Sequence, residues 1–506
     1  MTATATPPNA RAASANAGAD SAPGSGTGSP RRDSDRIQGR VLDAAVIGAG
    51  VAGLTAAWQL QKAGLTCVVL EAAPRVGGKV GTHEANGFRW EAGPNTVYVR
   101  DRGLIDLVTE LGGADRWTIA DPRAKKRFLA IDGRLTKLPA GPLSFALSGV
   151  LGPFEKLRLF TEPFRRKGPA DQESVADFAR RRLGAGALQN LVAPFVSGIY
   201  AGDPEKLEAA SVFPSLVDAE QAKGSILRGM LSARKTPAAQ KVPMAERLRS
   251  LKGGMRTLAE LLANKLNTPV RLNSPVTRIL RHDTYYSVSV GTAKDEGETV
   301  RARQLILATP VNAAAELLKT LPEGVALASE LAQIESCRIA VVSVGLREEQ
   351  LTRPKTGFGY LTVRRPGSAP NPVLGCLWPS CMFPDRAPAG KRLITLYIGG
   401  AMFPAAAQQS DAQLETLVHE ELERTLGLKP GADGKFELFF VERWERAIPQ
   451  YLLGHRRRVE RIQSALRDLP NLALAGNYLT GVSVAQAIES GRVAADACLS
   501  GAKVNP

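Results

Sequence analysis

Three glycines and one glutamate near the start of the chain have the types and spacing of a nucleotide-binding site. Gly48, Gly50 and Gly53 form the pattern G-x-G-x-x-G, and Glu71 follows about 20 residues later. Glycines in this pattern let backbone N–H groups approach a pyrophosphate, and the acid can accept a hydrogen bond from a ribose hydroxyl. The four residues therefore predict that this segment binds a dinucleotide.

The elements that must position these residues can be predicted on either side of them. The apolar run 44–47 predicts a buried strand, the pattern over 54–64 predicts a helix, and the run 66–70 predicts a second strand. Together they form a β-α-β unit whose helix N-terminus adds a positive end to the anion site. The alternative is a glycine-rich turn in an ordinary α/β domain.

A second pair of glycines follows the β-α-β unit. Residues 71–79 have the pattern E-x-x-x-R-x-G-G-K, with Arg75, Gly77, Gly78 and Lys79. A nicotinamide site does not need this pair, whereas a flavin dinucleotide extends beyond the first turn, so the segment favours FAD over NAD. The extended pattern resembles the flavoprotein superfamily of amine oxidases, phytoene desaturases and protoporphyrinogen oxidases.

Composition limits the function classes. The chain has 506 residues, of which 44% are hydrophobic, and lysine plus arginine outnumber aspartate plus glutamate by 65 to 49. The net charge of +16 is compatible with nucleic acid, an anionic membrane surface or an acidic ligand. Nucleic acid ranks last, because only 6% of the chain is aromatic and no nucleic-acid module is present. The five cysteines and four histidines are irregularly spaced and predict neither a disulfide framework nor a metal site.

The stretch 101–225 predicts a mainly helical region. Its section 139–159 is apolar but interrupted by glycine and proline, and no apolar run reaches the roughly 18 residues of a spanning helix. Basic residues surround this section: Lys125, Lys126, Arg127, Lys137, Lys156, Arg158, Arg165, Arg166 and Lys167. Short apolar helices beside basic residues predict contact with an anionic bilayer. The alternative is a solvated basic face over a helical core.

The order of these elements predicts an α/β fold, α+β overall, with a discontinuous Rossmann-like FAD domain of the amine oxidase type. A disordered tail is expected over 1–39, with a transit peptide as the less favoured alternative. The predicted domains are FAD-binding over 40–100, 250–312 and 440–502, helical and membrane-associating over 101–225, and a mixed-sheet substrate domain over 226–249 and 313–439.

Six local stretches narrow the resemblance. They are EAGPNT (91–96), VSGIYAGDPEKL (196–207), LKGGMRTL (251–258), MFPDRAP (382–388), ERWERAIPQY (442–451) and AGNYLTGVSV (475–484). Together they resemble the oxygen-dependent protoporphyrinogen and coproporphyrinogen oxidases over all of the chain except its N-terminal tail.

The resemblance implies a set of FAD contacts. They are Gly48, Ala49, Gly50, Val51, Ala52, Gly53, Glu71, Ala72, Arg75, Gly78, Lys79, Gly93, Pro94, Asn95, Thr96, Val276, Trp444, Gly476, Asn477, Val482, Ser483 and Val484. In the family pattern the helix after Gly481 directs its N-terminus at the electron-accepting edge of the flavin, which favours the anionic reduced form. Core packing is the alternative role of Val276 and Trp444.

The resemblance also implies a substrate site, because a porphyrinogen needs an apolar slot and a cation for its propionates. The matching residues are Arg100, Ala201, Gly202, Leu361, Leu374 and Tyr397. Arg100 would bind a propionate, with a solvated loop arginine as the alternative. Relatives commonly have phenylalanine where Tyr397 stands, so its hydroxyl is expected to change the polarity of the pocket.

The implied reaction is a six-electron oxidation of a porphyrinogen, with protoporphyrinogen IX preferred, to its aromatic porphyrin. Hydride passes from a meso carbon to the flavin, and oxygen reoxidises the flavin to give hydrogen peroxide, three times per product. Aromatisation supplies driving force, so no side chain is assigned as an acid–base catalyst, and the protein mainly positions the reactants.

Three alternatives remain open at the level of sequence: a coproporphyrinogen III oxidase, an amine oxidase and a flavin-free scaffold. The expected partners are the porphyrinogen and oxygen, with a membrane surface, a second copy of the chain and a ferrochelatase as further candidates, and no nucleic acid. The expected location is the cytoplasm or the cytoplasmic membrane surface, or an organelle if residues 1–39 are a transit peptide.

Overall fold

The computed structural model describes residues 40–502 except 140, 170, 233–240 and 292–296, so the predicted tail lies outside the described residues. The strands are β1 (Val41–Ile47), β2 (Cys67–Leu70), β3 (Thr82–Ala85), β4 (Phe88–Glu91), β5 (Val97–Tyr98), β6 (Trp117–Ile119), β7 (Arg127–Ile131), β8 (Arg134–Lys137), β9 (Leu248–Leu251), β10 (Val276–Arg281), β11 (Tyr286–Val290), β12 (Thr299–Leu307), β13 (Ser336–Arg347), β14 (Gly359–Val363), β15 (Val373–Leu377), β16 (Lys391–Gly399), β17 (Leu438–Pro449) and β18 (Leu472–Leu474).

The helices follow the same chain order. They are α1 (Val51–Lys62), α2 (Gly103–Glu110), α3 (Pro142–Leu147), α4 (Pro153–Phe160), α5 (Val175–Arg182), α6 (Ala185–Ala187), α7 (Ala193–Tyr200), α8 (Ala209–Val212), α9 (Pro214–Lys223), α10 (Ile226–Ser232), α11 (Arg256–Asn264), α12 (Val311–Lys319), α13 (Val325–Ala332), α14 (Pro379–Met382), α15 (Asp411–Leu426), α16 (His455–Leu466) and α17 (Val484–Ala502).

Distant stretches of the chain build the first sheet. β1 lies between β2 and β12 and is parallel to both. One half of β12 pairs with β18 in parallel, and the other half pairs antiparallel with β11, which in turn pairs antiparallel with β10. The carboxyl ends of the four parallel strands, Ile47, Leu70, Leu307 and Leu474, therefore meet at one edge. In sheets of this kind, ligands bind outside that edge.

Helices α1 and α17 cover the first sheet. The buried face of α1 includes Leu54, Ala57 and Leu60, as the helical pattern predicts. A β-carbon at Gly491 of α17 would overlap with the carbonyl of Ala52, so glycine there allows the two helix backbones to touch. This contact fixes the N-terminus of α17 relative to that of α1.

The second sheet has the order β17-β13-β16-β15-β14-β7-β8. All of its pairs are antiparallel except β14 with β7. Two features differ from the sequence-based domain boundaries. The hairpin β7–β8 lies inside the stretch 101–225, which was expected to be mainly helical, and β17 begins at Leu438 and carries residues assigned to the FAD domain. The places of the β7–β8 hairpin and of β17 both follow from strand pairing between distant parts of the chain, which a local sequence pattern does not encode.

A buried ion pair joins β4 to the segment after α14. Glu91 and Arg386 are each 2% exposed, and their charged groups lie 2.8 Å apart. Glu91 also accepts hydrogen bonds from Thr82 (2.6 Å) and from the backbone N–H of Met255 (3.0 Å). Burial raises the pKa of Glu91, and the nearby Arg386 opposes that rise. The pair therefore links parts of the chain that are far apart in sequence.

The helices α3 to α10 surround a second set of buried charges. Glu162 accepts hydrogen bonds from the Ser225 hydroxyl (2.6 Å) and the Ile226 N–H (2.9 Å), and it pairs with the fully buried Arg182. These bonds fix α10 against the chain just after α4. Within the described ranges, no helix combines the length and the apolar composition that a bilayer crossing requires.

Candidate functional site

Three glycines build the turn between β1 and α1, and their reasons for being glycine differ. Gly48 has a φ of +103°, and a β-carbon there would lie 2.7 Å from the carbonyl oxygen of Ala308. A β-carbon at Gly53 would overlap with the carbonyl of Gly48. Gly50 has a φ of −68°, and a β-carbon there would meet no atom within 4 Å. Packing therefore requires glycine at 48 and 53, whereas at 50 only a ligand in front of α1 would require it.

Glu71 lies beside this turn at the end of β2. Its carboxylate accepts hydrogen bonds from the N–H groups of Ala49 (2.6 Å) and Ala73 (2.9 Å). The backbone carbonyl of Glu71 accepts from Ser274 N–H at 2.8 Å, which brings the segment before Val276 to the same edge. The acid, the glycine turn and Val276 are therefore brought together as the sequence predicts.

The second glycine pair packs onto the first turn. The N–H of Gly77 donates to the carbonyl of Ala49 at 2.8 Å, and the guanidinium of Arg75 braces the loop by donating to the carbonyls of Val76 and Val80 at 3.3 Å each. Lys79 faces the cavity described next, and burial lowers the pKa of its amine.

One cavity of 2570 Å³ connects the edge of the first sheet to the second sheet. The cavity is lined by every residue that the sequence assigns to cofactor or substrate, except Ala49, Gly53, Asn95 and Gly202. Those four lie behind the wall and shape it. Asn95, for example, donates to the Tyr397 hydroxyl at 2.8 Å, and a β-carbon at Gly202 would lie 2.5 Å from a methyl group of Leu207.

The turn after β18 and the start of α17 form another part of the wall. The N–H of Gly476 donates to the Ser490 hydroxyl at 2.9 Å, and the hydroxyl of Tyr451 donates to the carbonyl of Asn477. Ser483 caps α17 by accepting a hydrogen bond from the N–H of Gln486 at 3.2 Å. The positive end of α17 therefore faces the cavity.

A buried histidine supports this turn from behind. The ring of His455 stacks on Tyr451 with centroids 4.2 Å apart, and the backbone of Tyr478 lies close to the imidazole. Burial, aided by the charge of Arg458, lowers the pKa of His455 to about 4. The folded protein therefore holds this imidazole neutral.

The depressed pKa predicts an acid-sensitive fold. The unfolded chain takes up the His455 proton near pH 6.5, so stability is complete above that pH and is lost as the pH falls towards 4, by about 3 kcal/mol in all. Urea unfolding at pH 7, 5.5 and 4.5 should give a shallower pH dependence for His455→Phe than for the natural protein. Parallel curves for the two proteins would contradict the assignment.

The apolar half of the cavity is formed where α7 meets the second sheet. Ala201, Leu374, Tyr397 and Trp444 belong to one apolar cluster, and Leu361 lines the same wall. Ala201 is 2% exposed and has a φ of +50°. The Tyr397 hydroxyl donates to the carbonyl of Gly93 at 3.3 Å, so it ties β16 to the loop after β4. The indole N–H of Trp444 donates to the carbonyl of Ala92 at 2.7 Å.

Two of the exposed arginines that line the cavity, Arg100 and Arg127, precede or begin strands and helices that border it. Arg100 was expected from the sequence, but Arg127 was counted only among basic surface residues. Arg127 begins β7 and lies over the ring of Phe358, 5.4 Å from its centroid. Sequence reasoning missed its role because the pairing of β7 with β14, which carries Arg127 to the cavity, is not local.

Comparison with known proteins identifies the family of the chain. Residues 51–499 match the model of the flavin-containing amine oxidoreductases. The chain belongs to this family. It is a flavin-dependent oxidoreductase, and the resemblance inferred from the six sequence stretches is confirmed.

Named relatives of this amine oxidoreductase fall in the porphyrinogen oxidase group. The chloroplastic protoporphyrinogen oxidase of Nicotiana tabacum is 31% identical over 469 residues, which is 88% of this chain and 84% of the relative. The coproporphyrinogen III oxidase of Bacillus subtilis is 29% identical over 475 residues, 90% and 97% of the two chains. A crystal structure of a provisionally assigned protoporphyrinogen oxidase from Exiguobacterium matches with a TM-score of 0.75 at 26% identity, covering 90% and 98%.

The residues present fit a flavin cofactor. The open space in front of Gly50 lies at the N-terminus of α1, where backbone N–H groups and the helix dipole suit a phosphate. The N-terminus of α17 borders the same cavity. The positive ends of α1 and α17 therefore both border the cavity, where they suit anionic groups of a flavin cofactor.

Proposed function

We propose that this flavoenzyme is an oxygen-dependent protoporphyrinogen IX oxidase with FAD as its cofactor. The observation that carries the proposal is the single cavity that joins the glycine-rich turn to an apolar slot with arginines beside it. An apolar slot with cations beside it suits a macrocycle that carries carboxylates.

FAD, rather than a shorter flavin, is favoured by the first sheet. Glu71 lies where an adenosine ribose hydroxyl could bind, and Val276 borders the same end of the cavity. Bound FAD supplies a hydride acceptor that oxygen can reoxidise, with hydrogen peroxide as co-product. The protein contributes position: Trp444 is fixed by its bond to Ala92, and Leu361 and Leu374 keep water from the slot.

The substrate assignment has a second candidate, coproporphyrinogen III. This ring carries four propionates where protoporphyrinogen carries two. Arg127 favours it, because this arginine adds a cation on a different element from Arg100, where a carboxylate beyond the two of protoporphyrinogen could bind.

Porphyrin fluorescence decides between the two substrates. The purified enzyme is mixed in air with each porphyrinogen, and the growth of fluorescence is compared with an enzyme-free control. We expect at least one porphyrinogen to be oxidised well above the rate in air, with the preferred one showing the higher kcat/KM. Equal rates with and without enzyme for both substrates would contradict the proposed function.

The two arginines should act on KM in different ways. Both side chains are exposed, so each contact with a propionate is worth about 1 kcal/mol, or roughly fivefold in KM. Arg100→Ala should raise KM for both porphyrinogens, whereas Arg127→Ala should raise it mainly for the four-propionate substrate. The control is Arg467→Ala, an exposed arginine away from the cavity. Unchanged KM values in both cavity variants would remove these arginines from the site.

The helices α3, α4 and α10, with the chain just after α4, support peripheral contact of the enzyme with a membrane. Eight large apolar side chains there are at least half exposed: Leu147, Phe154, Leu157, Phe160, Phe164, Leu227, Met230 and Leu231. We call them the apolar ridge. The guanidinium of Arg228 lies 5.9 Å from the ring of Phe164, which brings α10 and the chain after α4 onto one face. We propose that the ridge dips into an anionic bilayer surface.

A further inference from the structure

A second cavity opens beside the apolar ridge. It has a volume of 600 Å³ and lies between α4 and the chain around α6. Its wall includes the ridge residues Phe154 and Leu157, together with Arg158, Arg165 and Gly184. The same cavity thus borders both exposed apolar side chains and cationic ones.

The guanidinium of Arg158 is fixed by a hydrogen bond to a backbone carbonyl and not by an ion pair with a carboxylate within the described ranges. One of its terminal nitrogens donates to the carbonyl of Arg180 at 2.9 Å, and its buried Nε has no hydrogen-bond partner. Gly184 has a φ of +99°, and a β-carbon there would overlap with the side chain of Arg158. Glycine at this position therefore lets the arginine lie flat against the floor of the cavity.

The other charged groups leave the cavity with a net positive charge, because one carboxylate, that of Glu155, lines it together with Arg158, Arg165 and Arg180. Arg165 donates to the Thr161 hydroxyl at 3.3 Å, and within the described ranges neither it nor Arg158 has a carboxylate at ion-pair distance. Glu155 also lines the wall, but its carboxylate accepts from the N–H of Gly152 at 2.8 Å and caps α4. Arg180 is already paired with Asp177 at 3.0 Å.

We propose that this cavity binds the phosphodiester of an anionic glycerophospholipid while the ridge lies among the acyl chains. The inference rests on the membrane contact proposed above. Guanidinium groups recognise phosphate oxygens through their N–H donors, and the side chains of Arg158 and Arg165 both line the cavity. Because Phe154 and Leu157 border the cavity, a headgroup bound there has its acyl chains beside the ridge.

Vesicle flotation with two kinds of anionic lipid tests the site. Vesicles of a neutral galactolipid are doped with phosphatidylglycerol or with oleate until their measured surface charge is equal. For Arg158→Gln and Arg165→Gln we expect more than a tenfold loss of affinity for the phosphatidylglycerol vesicles. For the oleate vesicles we expect a loss of only about fivefold, which is the effect of removing one basic charge near an anionic surface.

Arg166→Gln is the matched control, because Arg166 is exposed, neighbours the ridge and does not line the cavity. It should lose about the same fivefold on both lipids. Equal losses on both lipids for all three variants would overturn the phosphodiester site. Full vesicle binding by Phe154→Ser/Phe160→Ser would overturn the membrane contact and the site with it. Porphyrinogen oxidation, assayed in detergent on the same samples, reports the proposed function separately.

Unchanged thermal midpoints and flavin absorption in Arg158→Gln and Arg165→Gln establish that these variants are folded. If Arg158→Gln unfolds, Arg158→Lys keeps the charge but loses the paired donors. It should then bind phosphatidylglycerol vesicles more weakly than the natural protein does and oleate vesicles equally well, and unchanged affinity for phosphatidylglycerol would overturn the site.

Discussion

Replacing Gly50 by alanine should weaken flavin binding while leaving the apoprotein at least as stable. The backbone of Gly50 has a φ that alanine adopts freely, and the added β-carbon meets no protein atom. Loss of chain entropy in the unfolded state should even stabilise the fold by about 0.4–1 kcal/mol. The β-carbon would instead project to where a pyrophosphate approaches the backbone. The overpacking cost of about 1–3 kcal/mol corresponds to roughly 5- to 150-fold weaker flavin binding.

The measurements are flavin affinity by fluorescence quenching and urea unfolding of the apoprotein. Gly149→Ala is the matched control, because a β-carbon there also meets open space but lies outside the cavity. Gly48→Ala should behave oppositely and destabilise the fold, since its β-carbon lies 2.7 Å from the Ala308 carbonyl oxygen. Natural flavin affinity in Gly50→Ala would mean that the cofactor does not lie against this turn.

Replacing Arg386 by methionine should be among the most destabilising single changes in the chain. The substitution leaves the 2%-exposed carboxylate of Glu91 without its cation and leaves Ser250, which accepts from Arg386 at 2.7 Å, without that donor. Breaking one side of a buried pair costs about 3–5 kcal/mol. Urea unfolding should detect this loss at neutral pH.

Two further variants make this stability test specific. Arg461→Met breaks a half-exposed pair with Glu330 and should cost at most about 1 kcal/mol. The double variant Glu91→Leu/Arg386→Met removes both buried charges and should recover part of the loss. If Arg386→Met costs no more than Arg461→Met, the pair does not hold the two parts of the chain together.

Sequence reasoning found the parts of the site that local patterns encode. The turn from Gly48 to Gly53 and the acid Glu71 are each fixed by residues close in sequence, so spacing and periodicity predict their arrangement, whereas the role of the start of α17 was implied by the family resemblance. The stretches EAGPNT and MFPDRAP are recognisable from the sequence only through their resemblance to the family. The structure gives a physical reason for both, since Glu91 of the first pairs with Arg386 of the second.

The contacts at the cavity that the sequence does not predict depend on pairing between strands that are far apart in the chain. Arg127 reaches the cavity only because β7 pairs with β14, and Tyr397 reaches Asn95 only because β16 lies opposite the loop after β4. Neither contact leaves a local pattern. The sequence predicts short apolar helices beside basic residues. The cavity at Arg158, however, depends on how α4 packs against Gly184, which only the fold defines.

The most direct test of the proposed function is to mix the flavin-loaded enzyme with protoporphyrinogen IX, and separately with coproporphyrinogen III, in the absence of oxygen. We predict that the visible flavin absorption bleaches with at least one of them. Admitting oxygen should restore the absorption and yield three molecules of hydrogen peroxide per porphyrin formed. Flavin that stays oxidised with both porphyrinogens but is bleached by a simple amine would contradict the account.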